Sequence, residues 1–250
     1  NIVNKILYLT YDGLTDPLGQ SQILPYLIKL SLDNEIHIIS AEKKDNFIKF
    51  KDDINLLINN SNIYWHALSY SKKPPIISTI IDLCRIYLKS IKLHKLFNFS
   101  VVHCRSHLTS IIGHYLKKKK EIPYIFDMRS FFPEERVDGG HWPQTNYIFK
   151  AVFIYFKQIE RVILRTADHI VVLTEEAKNI LNIDDKRISV IPCCADFDYF
   201  DFNKIPQDLF NQTKKSLGIK QDSFVLSYLG SVGSWYLLEE MLDFFKILKK

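Results

Sequence analysis

Apolar positions along the chain recur at two alternating spacings. Short β-rich runs at residues 5–11 (KILYLTY), 35–40 (EIHIIS), 62–68, 100–104 (SVVHC), 123–128 (PYIFDM), 169–173 (HIVVL) and 187–191 (RISVI) predict strands. Helical spacing fills the gaps. Ile23, Leu24, Leu27, Ile28 and Leu30 mark a helix within 19–33, and Ile80, Leu83, Cys84, Tyr87, Ile91 and Leu93 mark one over 76–97. Further helices are predicted over 45–59, 108–120, 146–166 and 174–181, the last with Thr174 as its N-cap, while 131–144 reads as irregular. Strands separated by helices predict βαβ units, hence an α/β domain with a parallel sheet covered by helices on both faces, spanning residues 1–200. Residues 201–221 are polar, hold one short helix at 206–217 and read as a linker. The pattern then restarts with a strand at 223–229, a Gly-containing turn at 230–234 and a helix at 235–248. One βα unit cannot bury both faces of its own strand, so 222–250 is expected to be the incomplete start of a second α/β domain.

Composition narrows the class. The 250 residues are 47% hydrophobic and 24% charged, which excludes a disordered, collagen-like or low-complexity chain. Net charge is +5, but residues 71–120 carry eleven Lys or Arg against Asp82 alone, so this window is +10 and the rest −5. A basic face suits an anionic partner: membrane, nucleic acid or phosphorylated ligand. A solvated Lys-rich helix face is the competing reading. Cys84, Cys104, Cys193 and Cys194 form neither a disulfide framework nor a zinc-type CxxC pair, and they read as reduced thiols of a cytoplasmic protein. No apolar run reaches the ~18 residues needed to span a bilayer. The nearest, 147–156, is broken by Lys150. The chain starts with Asn1 and carries no signal-peptide pattern, so it is expected to be a piece of a longer protein.

Candidate chemistry lies where ligands bind in open α/β sheets, beyond the carboxyl ends of strands. After the first strand, YDGLTDPLGQSQ (11–22) places Gly19 and Gln20 at a helix start, where free backbone N–H groups suit a phosphate or sugar hydroxyl. A plain tight turn is the alternative. HCRSH (103–107) and FDMRSFFPEERVDGGHW (126–142) put His103, Arg105, His107, Asp127, Arg129, Glu134 and Glu135 at one rim of the sheet. Arginine binds phosphate or carboxylate bidentately, and a carboxylate pair can do acid–base work or accept from sugar hydroxyls. For each residue taken singly a structural ion pair is equally expected; their convergence favours a site. YLGSVGSWY (228–236), with Gly230, Ser231 and Gly233, has the form of a diphosphate cradle.

The order GLTDPLGQSQ, HCRS, FDMRS, ADHIVVLTEEAKNIL, ISVIP and YLGSVGSWY resembles glycosyltransferase family 4, the group 1 enzymes, over nearly the whole chain. The resemblance implies the GT-B architecture of two Rossmann-like domains: an acceptor-binding N-terminal domain and a nucleotide-sugar-binding C-terminal one, here truncated. It implies hexosyl transfer from a nucleotide-sugar to a glycan or lipid-linked acceptor, with retention, without a metal or other cofactor, in surface polysaccharide or glycoconjugate synthesis. Asp127 and Arg129 fall at the position of the catalytic strand end. Gly19 and Gln20 match the N-terminal glycine loop; His103, Arg105 and Glu134 join them in acceptor or donor binding. Gly230, Ser231 and Gly233 match the first loop of the nucleotide domain. The chain departs from the family pattern in carrying Arg129 where many members have His, Cys193-Cys194 where Asn-Gly is usual, and no Lys or Arg over 231–240. The family's Glu-x7-Glu motif is absent, and the chain as given is expected to be inactive alone.

The basic window and the aromatic helix at 146–165 (Tyr147, Phe149, Phe153, Tyr155, Phe156) fit peripheral contact with an anionic membrane at its inner face, although core packing of those aromatics is the favoured reading. The alternative to an enzyme is a non-catalytic glycan- or partner-binding module of GT-B-like fold. A nucleic-acid role has only the Lys117–Lys120 run behind it and no accompanying motif, so no nucleic-acid partner is expected.

Overall fold

The computed structural model describes the chain except residues 1–3, 75, 196, 198–199, 221, 231, 233–235 and 249–250. The chain divides into two compact units, Asn1–Pro192 and Cys193–Lys250.

In the first unit seven strands alternate with helices: β1 (Asn4–Thr10), α1 (Leu24–Leu30), β2 (Asn34–Glu42), α2 (Lys44–Ile58), β3 (Ile63–Ser69), α3 (Ile77–Phe97), β4 (Val101–Arg105), α4 (Ser106–Lys120), β5 (Tyr124–Asp127), α5 (Phe132–Asp138), α6 (Tyr147–Thr166), β6 (His169–Val172), α7 (Glu175–Leu181) and β7 (Ile188–Val190). Every pairing is parallel, in the order β3-β2-β1-β4-β5-β6-β7. Strand order therefore reverses between β1 and β4, and such a switch point opens a crevice beyond the strand ends.

Alternation along the strands sends side chains to two separate cores. Leu7, Leu9, Ile39, Val102, Cys104, Tyr124 and Phe126 pack under α3, α4 and α6 through Ile86, Leu93, Ile112, Leu116 and Ile163. Tyr8, Ile36 and Ile38 face the other way, against Leu24 and Leu27 of α1 and Ile54 and Ile58 of α2. Helices thus cover both faces of the sheet. Gly113 sets how closely α4 approaches it, since a Cβ there would lie 2.6 Å from Cys104 Sγ and 2.8 Å from the Tyr124 ring. Local signals place the helix ends. Asn146 accepts the Ile148 N–H at 2.9 Å to start α6, and Thr174 accepts the Ala177 N–H at 3.1 Å to start α7.

Three expectations change. The helix expected within 19–33 is a π-helical turn, Gly19–Ile23, followed by α1. The stretch read as irregular contains α5, with Pro133 and two acidic residues, Glu134 and Glu135, in its first turn; seven residues are too few for a periodicity to emerge. In the second unit α8 (Gln207–Ser216) and α9 (Leu238–Leu248) form, but the strand expected at 223–229 does not. An extended segment needs a ladder partner, and among the described residues Phe224 and Leu229 are 80% and 101% exposed. No described helix is long and apolar enough to cross a membrane.

Candidate active site

The chain leaves β1 into a loop that is bonded down from the end of β2. Glu42 is buried and accepts the Leu14 N–H at 2.7 Å, the Thr15 N–H at 3.1 Å, and the Thr15 and Ser40 hydroxyls, each at 2.5 Å. Asp16 accepts from Lys43 Nζ at 2.8 Å and Asn46 Nδ2 at 2.6 Å. Gly19 closes the loop by close approach: a Cβ there would sit 2.2 Å from the Gly13 carbonyl oxygen and 2.5 Å from Leu14 Cα. The Gln20 N–H, expected to be free for a ligand, donates to the Asp16 carbonyl at 3.1 Å, and the Gln20 side chain donates to the Thr15 carbonyl at 3.1 Å. Gly19 and Gln20 therefore shape the loop, and the helix start at Gln20 is already satisfied by the turn that forms it.

Beside this loop, β4 and β5 end in register, with Arg105 opposite Asp127. Both are 3% exposed. Asp127 faces His103 Nε2 at 3.4 Å, Arg129 Nη1 at 3.4 Å and Arg105 Nη1 at 3.8 Å. Arg105 reaches Asp12 from its Nε at 3.5 Å. Gln22 Oε1 ties the two guanidinium groups together, accepting from Arg105 Nη2 at 3.3 Å and Arg129 Nη2 at 3.5 Å. The floor is aromatic: the Tyr8 ring lies 4.7 Å from His103, and Tyr26 donates its hydroxyl to that of Tyr8 at 2.5 Å.

These contacts are longer than the 2.7–2.9 Å of a closed charge-assisted bond. Arg105 Nε and Nη1 are buried without a hydrogen-bond partner. Burial alone would raise the Asp127 carboxyl, but the His103 hydrogen bond and the charges of His103, Arg129 and Arg105 hold it below its ordinary value. Burial likewise opposes the Arg105 charge, and Tyr8, Asp127 and Asp12 more than offset it. At neutral pH the cluster therefore presents a carboxylate between guanidinium groups, able to accept from a hydroxyl on one side and to attract an anion on the other. Ser106, next to Arg105, has φ 72°, a left-handed conformation that costs a serine about 1–2 kcal/mol. Such strain collects at functional sites. The turn is held by Thr109 Oγ1 donating to the Arg105 carbonyl at 2.5 Å and Ser110 Oγ donating to the Ser106 carbonyl at 2.8 Å.

The expected rim is only partly assembled. His103, Arg105, Asp127 and Arg129 converge. His107 turns into the core, with Nε2 2.9 Å from Glu160 of α6, and is fully buried. It lies in the first turn of α4, on the face covered by α6. Glu134 pairs with Lys157 at 2.7 Å, Lys157 also bonds Glu160, and Glu135 accepts from the Ser130 hydroxyl. Gly230 lies beside the Tyr228 ring in the second unit, whereas Ser231 and Gly233 lie outside the described residues. Asp12, Gln22 and Glu42 were not singled out from the sequence. Gln22 was visible only as part of GQSQ, and Glu42 as a lone carboxylate ending an apolar strand.

Among the described residues no group of three or more His, Cys, Asp or Glu is arranged to hold a metal ion. Comparison with known protein families matches residues 32–199 to Glycosyltransferase Family 4. The chain belongs to this family. Among solved structures, the chain is similar in fold to HepE from Anabaena, crystallised with UDP and glucose (TM-score 0.59, 12% identity, covering 96% of this chain and 57% of that one). Sucrose-phosphate synthase from Thermosynechococcus elongatus matches with TM-score 0.58 and 12% identity over 88% of this chain and 53% of its own. A glycosyltransferase from Rickettsia africae matches with TM-score 0.57 and 15% identity over 98% and 58%. The chain thus has the GT-B fold and spans a little over half the length of these structures. No curated protein matches it.

Proposed function

We propose that this chain carries the acceptor side of a retaining glycosyltransferase that moves a hexosyl unit from a nucleotide-sugar to a glycan or lipid-linked acceptor, in surface polysaccharide or glycoconjugate synthesis, without a metal. The observation that carries the reading is the switch-point cluster of a family 4 domain, where Asp127 stays ionised between Arg105 and Arg129. In this reading the Asp127 carboxylate accepts from the incoming acceptor hydroxyl and orients it. Arg129, with Arg105 behind it, stabilises the negative charge that develops on the departing nucleoside diphosphate. The Gly13–Gly19 loop fixes where the acceptor can lie, which supplies the positional part of the acceleration. Residues 222–250, with Gly230, Ser231 and Gly233, are assigned to the donor side, and Glu134 to support of the acceptor wall through Lys157.

A cytoplasmic enzyme of this kind meets a lipid-linked acceptor at the inner face of a membrane. The N-terminal half of α6 supports that placement: Tyr147, Ile148 and Tyr155 are 86%, 68% and 60% exposed rather than packed as core, with Lys150 beside them.

The test is calorimetric titration of the full-length protein with a panel of UDP- and GDP-sugars. Saturable binding of one donor, followed by transfer to an oligosaccharide or polyprenyl-linked acceptor, is the expected result. Glycan binding that ignores nucleotide-sugar would instead assign a non-catalytic module of the same fold.

A further inference from the structure

A cleft with charged residues in its wall lies at the opposite edge of the sheet, before the amino ends of β6 and β7. It has a volume of about 570 Å³ and is walled by His114, Lys117, Lys118, Arg165, Asp168 and Arg187. The last turns of α4 and α6 both contribute to its wall.

Part of this charge is structural. Arg187 Nη2 donates to the carbonyls of Leu164, Arg165 and Ala167 at 3.0, 3.3 and 2.7 Å, and so caps α6. Lys117 Nζ donates to the Thr166 carbonyl at 2.9 Å and to Asp168 at 2.7 Å. His114 Nδ1 lies 3.0 Å from Thr166 Oγ1, and burial together with Lys118 and Lys117 lowers its basicity, so it stays neutral.

The remaining charges do not balance. Four cations line the cleft against one carboxylate. Each helix C-terminus adds the equivalent of about half a negative charge. Roughly two positive charges, on Lys118 and Arg165, are left without a counterpart, and both side chains are exposed to the cleft mouth. A phosphate monoester carries about −1.5 to −2 at neutral pH. The volume exceeds what a single phosphate fills and leaves space for the group that bears it.

We propose that this cleft is a binding site for a phosphate-bearing ligand, held by Lys118 and Arg165 and backed by Lys117 and Arg187, and separate from the Asp127 cluster. The phosphate can come from a free phosphorylated metabolite or from a lipid headgroup.

Two arms separate these sources. Isothermal titration with inorganic pyrophosphate probes the free ligand, and cosedimentation with phosphatidic acid–phosphatidylcholine vesicles probes the headgroup. Saturable pyrophosphate binding that weakens at least about tenfold in Lys118→Ala/Arg165→Ala, and is kept in Arg129→Ala, supports the site with a free phosphate. Binding only to vesicles, lost in the same double variant, supports it with a lipid. Neither substituted side chain makes a hydrogen bond that holds the fold, and the Arg165 carbonyl that Arg187 caps is kept in the variant, so thermal unfolding is expected to match the parent. Absence of binding in both arms overturns the proposal. So does binding that survives the double substitution or disappears in Arg129→Ala.

Discussion

Two buried carboxylates in the first unit have the same exposure, 3%, and opposite character. Glu160 sits inside α6 with His107 at 2.9 Å and Lys157 closer still, and Lys157 is shared with Glu134 at 2.7 Å. Asp127 sits at the end of β5 with its cationic neighbours at 3.4–3.8 Å. The burial cost of Glu160 is overcome by its His107 and Lys157 hydrogen bonds, and that of Asp127 by His103 and the two arginines; both carboxyls fall below their ordinary values. Glu160 is closed on its partners and holds α6 to α4. Asp127 is ringed by charge without being closed on any of it, at the crevice where the strand order reverses. Burial and basicity do not separate a structural ion pair from a site; contact length and position on the sheet do.

The largest expected effect breaks the closed cluster. Glu160→Ala leaves Lys157 and His107 without their buried acceptor and is expected to cost about 3–5 kcal/mol in urea unfolding. Asp127→Asn, in which an amide oxygen still accepts across the long contacts, is expected to cost about 1–2 kcal/mol. Equal losses would erase the distinction between them.

Acid sharpens the comparison next. His37 is fully buried, with Nδ1 3.0 Å from His66 and Nε2 3.1 Å from Glu35. His66 is pushed down to about 4 by burial, then by Lys89 and His37, and burial also lowers His37 against the pull of Glu35. His66 takes up its proton near pH 6.5 in the unfolded chain and only near 4 in the folded one, so stability falls as pH drops through that window, by on the order of 2–3 kcal/mol, and the lowered His37 adds in the same direction. Asp127 and Glu160 have lowered values, so their contribution is retained there and is lost only at still lower pH. Urea midpoints that stay flat from pH 7 to 4.5 would contradict this.

Gly19→Ala sets a Cβ against backbone rather than a movable side chain, and it is expected to cost about 1–3 kcal/mol while displacing the loop. Ser106→Gly, the smallest change, removes the left-handed strain and is expected to gain about 0.5–1 kcal/mol. Thermal unfolding reads both.

Much of the fold was legible in the sequence because alternating strands and 3.6-spaced helices record which side of the sheet they face. Tyr8 against Leu7 and Leu9 is one such record: the two cores separate at adjacent residues. Convergence of Arg105, Asp127 and Arg129 was legible as well, since parallel strands bring their carboxyl ends to one edge. The direction of a side chain within a turn was not. His107 and Arg105 are two residues apart, yet the first turn of α4 sends one beneath α6 and leaves the other at the crevice. Two readings of the loop, a ligand cradle at Gly19–Gln20 and a plain tight turn, are open from the sequence; the Gln20 N–H goes to the Asp16 carbonyl, and the N–H groups of Leu14 and Thr15 go to Glu42, a carboxylate 27 residues from Thr15 that no local pattern connects to it. The segment at 223–229 shows the converse limit: strand composition without a ladder partner forms no strand.

In the proposed function Asp127 acts on substrate rather than on stability. The direct measurement is sugar transfer by the full-length protein carrying Asp127→Asn, compared with the parent at saturating donor, with thermal unfolding recorded on the same samples. The expected result is a fall in kcat of about 100-fold or more, the scale of losing a positioned proton acceptor, with only a modest shift in Tm. Undiminished turnover would contradict it and return Asp127 to the company of Glu160.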